Sequence, residues 1–73
     1  MAQEKVDFPI TGKLTSVNVK QGDVVAEGDV LCFIESMKME NPILAPVAGT
    51  VTEINISEGQ VAEVGDLVAI IEY

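Results

Sequence analysis

The sequence predicts an all-β fold, a small sandwich or barrel of about eight short strands built around an internal pseudo-twofold repeat. Three observations carry that prediction. Sliding the chain by 37 residues aligns Phe8–Glu35 with Ala45–Glu72 and finds ten identities in 28 positions, with all six glycines in register. The apolar runs are short, rich in β-branched residues and bounded by turn residues. No window joins the 3.6-residue apolar spacing of an amphipathic helix to helix caps.

Each element follows from its own residues. Leu14-x-x-Val17-x-Val19 and its mate Val51-x-x-Ile54-x-Ile56 alternate with period two but carry one inserted residue, so each strand should contain a bulge that bends it. Gly22 and Gly59 mark turns that lead into the short pairs Val24-Val25 and Val61-Ala62. Gly28-Asp29 and Gly65-Asp66 turn again, into the buried-strand runs Val30–Ile34 and Leu67–Ile71. Shared glycines imply shared turns, because glycine is the default where the backbone takes positive φ. Neither half of about 28 residues can bury a face alone, so the halves must pack on each other as one domain spanning residues 1–73.

Composition excludes several classes of function. The 73 residues include no histidine and no arginine, and only one cysteine, so neither a Ser/His/Asp nor a Cys/His nucleophile system can be assembled. No catalytic residue and no metal ligand set is expected. A net charge of −8 has the wrong sign for nucleic acid or an anionic bilayer. At 48% apolar residues the chain should fold rather than remain a disordered acidic tail. No apolar run is long enough to span or insert into a membrane, and Met1–Lys5 lacks the apolar core of a signal peptide. A single thiol, Cys32, points to a reducing compartment, the cytoplasm, and its place inside an apolar run marks it as a small core hydrophobe.

One segment, residues 36–44, joins the halves and belongs to neither. Between the run ending at Glu35 and the strand restarting at Ile43-Leu44 the chain must reverse, which places Met37-Lys38 at a hairpin tip. Asn-Gly or Asp-Gly would favour such a turn, and neither is present, so local propensity does not explain this choice of residues. Met37 and Met39 set two flexible thioethers beside the Lys38 ammonium, where turns usually show small polar side chains. Pro42 and Pro46 should limit pairing at sheet edges.

Glu35-Ser36-Met37-Lys38-Met39-Glu40 resembles the attachment motif of biotinyl (biotin carboxyl carrier) domains, commonly Glu-Ala-Met-Lys-Met, and Ala45-Pro46-x-x-Gly49 resembles the stretch that follows it. The resemblance covers about Val6 to Tyr73, with Ser36 for the commoner alanine and no room for the protruding thumb of some relatives. It implies a flattened barrel of two four-stranded antiparallel sheets, monomeric in isolation, with biotin covalently attached to Lys38 by a biotin protein ligase. A biotin carboxylase would load the carboxyl group, and a carboxyltransferase or decarboxylase would remove it. The domain itself would be a non-catalytic swinging arm that raises the effective concentration of cofactor at both partner sites. Met37 and Met39 would serve partner recognition, with Ser36, Glu35 and Glu40 beside them. The parent enzyme, its acyl substrate, and whether the chain is a free-standing subunit stay open. A lipoyl carrier of the same fold, whose tips read Asp-Lys-Ala, is the nearest alternative. An interaction barrel whose Lys38 is never modified is another, and a helical acyl carrier is opposed by the β repeat.

Overall fold

Glycine-marked turns and short β-branched runs leave the chain little choice but to fold back on itself every few residues. The computed structural model describes residues 1–73 as eight strands: β1 (Gln3–Asp7), β2 (Gly12–Val17), β3 (Val24–Val25), β4 (Val30–Ser36), β5 (Met39–Leu44), β6 (Gly49–Ile54), β7 (Val61–Ala62) and β8 (Leu67–Glu72). They form two four-stranded antiparallel sheets, in the orders β1-β8-β6-β3 and β5-β4-β2-β7. No helix is present, so none is long and apolar enough to cross a membrane.

The 37-residue shift carries one sheet onto the other. It takes β1 to β5, β8 to β4, β6 to β2 and β3 to β7, and it preserves strand order and register. Val6 lies opposite Ala69 as Ile43 lies opposite Cys32. The inserted residues are Thr15 and Thr52, skipped in the pairing of β2 with β4 and of β6 with β8. A second bulge, at Leu31 of β4 and its mate Val68 of β8, is also repeated.

The structural repeat therefore reaches further than the identities do. β1 has no obvious strand signal, since a single buried residue, Val6, sits among Gln3, Glu4, Lys5 and Asp7. It is nevertheless the mate of β5, so residues 40–44 do belong to a copy. The strand after the tip begins at Met39 rather than Ile43. Pro42 is accommodated because β5 is a sheet edge. β2 and β6 start and stop two residues earlier than the alternation suggested, leaving Val19 and Ile56 beyond their ends. They instead pack against the core as partly buried side chains.

All fourteen core residues fall into seven repeat pairs: Val6/Ile43, Phe8/Ala45, Leu14/Val51, Val25/Ala62, Leu31/Val68, Cys32/Ala69 and Ile34/Ile71. No polar residue is buried among them. The pairs are not equal in volume. Phe8 in one copy has the much smaller Ala45 as its mate in the other, so the core keeps its layout while distributing bulk unevenly.

The glycines divide into two kinds. Gly22, Gly28, Gly59 and Gly65 take φ between 90° and 95°. Gly12 and Gly49 open strands instead, and a Cβ there would collide with the backbone carbonyl oxygens of Glu35 and Glu72 respectively. They are glycines because two strands approach each other closely. Gly12 thus packs beside the end of β4 that leads into the hairpin.

Candidate functional site

The hairpin is made by register. β4 and β5 pair Ile34 with Asn41, Glu35 with Glu40 and Ser36 with Met39, which leaves Met37 and Lys38 as a two-residue turn. Their φ angles are 54° and 65°, and they are the only non-glycine residues in the chain with positive φ. Positive φ at both central positions suits the right-handed twist of the flanking strands. For residues with a Cβ it costs about 1–2 kcal/mol each. The rest of the sheet must hold this turn in place, since the turn residues do not favour it themselves.

The tip stands in solvent. Met37 is 91% exposed and Met39 66% exposed, and Lys38 between them is also exposed. Ser36 is half-buried as the last residue of β4. The side chains nearest the turn therefore leave the Lys38 amine open to an incoming acyl group, and an exposed primary amine on a fixed turn fits covalent attachment of a cofactor. Asn41 Nδ2 donates to the Met39 carbonyl at 3.2 Å, bracing the return strand.

Behind the tip, Glu40, Glu35 and Lys13 lie side by side across β5, β4 and β2. Like charges directly opposite each other, as in Glu35 and Glu40, destabilise a strand pair. Thr15 Oγ1 donates to Glu40 Oε2 at 2.7 Å, and Lys13 flanks Glu35 on its other side. An open groove of about 300 Å³ runs beside this row, lined by Lys13, Leu14, Thr15, Glu35, Glu58 and Gly59. Thr15, Lys13 and Asn41 were not singled out from the sequence. The signal available for Thr15 was its identity with Thr52 at the inserted position, but its contact with Glu40 spans 25 residues and reaches across β4.

Cys32 takes no part in this site. It is fully buried, and burial pushes its thiol up to about 11, so it stays protonated at neutral pH.

The protein family described as "Biotin-requiring enzyme" matches residues 4–71. The gamma subunit of glutaconyl-CoA decarboxylase from Acidaminococcus fermentans is 56% identical over 39 residues, 53% of this chain and 27% of that protein. A homolog of biotinylated protein TB7.3 from Mycobacterium leprae is 48% identical over 42 residues, 58% of this chain and 59% of that one. Among solved structures, Kluyveromyces lactis urea carboxylase superposes with a TM-score of 0.89 at 35% identity, over 99% of this chain and 6% of that enzyme. The aligned stretch thus amounts to less than two thirds of each relative's own length.

Proposed function

The chain belongs to the family of biotin-requiring enzymes, in which it is a biotin carboxyl carrier domain, and we propose that Lys38 is where the biotin is attached. The observation that carries the assignment is the exposed turn at Met37-Lys38, the one place where a side chain with a nucleophilic nitrogen stands at positive φ clear of the sheets. Lysine offers a primary amine that forms a stable amide with a carboxylic acid once that acid is activated. An alkylammonium attacks nothing until it gives up a proton, and this chain has no histidine to act as base. A biotin protein ligase would therefore supply both the acyl-adenylate and the general base. The amide C–N bond forms as the acyl–phosphate bond breaks, AMP departs, and the amine's proton passes to the ligase or to water.

When bound, biotin supplies a ring nitrogen able to hold a carboxyl group between two active sites. The chain's own part is to present the arm. The two sheets keep the hairpin rigid, and the exposed thioethers of Met37 and Met39 offer adaptable contacts to more than one partner. Those partners are a biotin carboxylase and a carboxyltransferase or decarboxylase, and the domain performs no bond-making of its own. The decarboxylase and carboxylase relatives support this set of partners. The unpaired, buried thiol of Cys32 supports a reducing, cytoplasmic setting.

Intact-mass and peptide analysis after incubation with a biotin protein ligase, biotin and MgATP tests the proposal, with a lipoate ligase in a parallel arm. A single biotin on Lys38 is expected. Lipoylation in preference to biotin, or no modification in either arm, would overturn it. The relative described as biotinylated favours the first outcome.

A further inference from the structure

Thr15 and Thr52 occupy the same bulge in the two copies, and their hydroxyls do different things. Thr52 Oγ1 reaches only a backbone acceptor, the carbonyl of Ile70, at 3.3 Å. Thr15 lies 3.4 Å from the equivalent carbonyl of Phe33, but its shorter contact, 2.7 Å, is to the Glu40 carboxylate. A hydroxyl has one proton to give, and a charged acceptor at the shorter distance takes it. The divergence has a simple origin in sequence. Glu40 corresponds to Gln3 under the 37-residue shift, so only the copy carrying the Met37-Lys38 turn has a carboxylate at this place.

Glu40 needs such a partner. It is paired across the strands with Glu35, a like charge, and it is two residues from Lys38, whose cation would attract it if it were free to swing. We infer that Thr15 is a positioning residue for the hairpin. Its hydroxyl fastens Glu40 to the outer face of the sheet and thereby fixes the conformation in which Met39 and Lys38 meet the enzyme that modifies the lysine. The inference rests on the carrier function proposed above and adds to it a residue 23 positions away in sequence.

The repeat supplies the control. In the 73-residue chain, Thr15→Val removes the hydroxyl at similar volume, Thr15→Ser keeps it, and Thr52→Val makes the same change in the copy with no carboxylate. With a purified biotin protein ligase, Thr15→Val should raise KM for the carrier roughly three- to tenfold with kcat unchanged, the range expected for one hydrogen bond. Thr15→Ser and Thr52→Val should match the wild type. Nitrogen-15 relaxation should show faster motion at the amides of residues 37–39 in Thr15→Val alone. Wild-type kinetics and unchanged relaxation in Thr15→Val would overturn the inference. So would equal impairment in Thr52→Val, which would mark a general loss of bulge stability. Should wild-type Lys38 accept no biotin, the carrier function falls, while the relaxation arm still decides whether Thr15 holds the hairpin.

Discussion

The two ends of this molecule are built alike and finished differently. At one end β4 and β5 close through Met37 and Lys38, with Ser36 opposite Met39. At the other, Tyr73 and Ala2 exchange backbone hydrogen bonds of 2.8 Å each, in the positions that the repeat assigns to Ser36 and Met39. β1 leads away from this second end toward Gly12, which packs on Glu35 beside the hairpin, so the two ends are separated along the 37 Å long axis. Strand pairing, register, bulges and core are common to both. The connection differs, and so does the residue behind it, Glu40 in one copy and Gln3 in the other. The lesson is that two copies of one scaffold are set apart by the few residues their symmetry does not require.

The largest test of this contrast is chemical. Lys38→Arg should fold as the wild type yet incorporate no biotin in a streptavidin blot, with Lys5, Lys13 and Lys20 unlabelled although they are also lysines of this chain. Labelling at any of the three would mean that position at the tip does not define the target. Next in size is a test of the shared scaffold. Gly12→Ala and Gly49→Ala should each destabilise by about 1–3 kcal/mol in urea unfolding, because both force a Cβ against a strand carbonyl. A large inequality between them would show that the two ends are not mechanically equivalent.

A smaller effect addresses the turn itself. Replacing Met37-Lys38 by Asn-Gly should relieve the left-handed strain and stabilise the fold by about 1 kcal/mol, raising Tm by roughly 4–8 °C. A lowered Tm would show that the methionine and lysine are favoured there for stability rather than presented for a partner. The smallest concerns a core pair that differs between copies, Cys32 and Ala69. In the folded chain the Cys32 thiol ionises only near pH 11, against 9.0 for the free group. The native state then holds the proton longer than the unfolded state, so stability is intact below pH 9 and declines as pH rises toward 11. Cys32→Ala should remove that part of the alkaline decline in denaturant titrations followed from pH 8 to 11.

Much of this was legible in the sequence, and the exceptions have physical reasons. The repeat exposed the core because buried positions tolerate aliphatic exchange but not polarity, as with Leu14/Val51 and Leu31/Val68. The inserted residue in each strand was visible as a break in period two, and the place of the turn followed from the lack of any other room to reverse. β1 escaped notice because an edge strand with one buried side chain needs only Val6 to be apolar. The hold of Thr15 on Glu40 was invisible for a different reason. It joins strands that are not neighbours in the sheet, across β4, and no local pattern encodes a contact made only after the sheet has assembled.

The reciprocal bonds between Ala2 and Tyr73 make the backbone a ring in all but one short link. Bridging those residues with two more, in the manner of Met37-Lys38, and opening the chain elsewhere would give a circular permutant with the same sheets and a hairpin at each pole. Such a molecule would have a second tip without any new core. A Met-Lys pair grafted there would ask whether a single arm per barrel is a requirement of the architecture or only the number that this chain happens to carry.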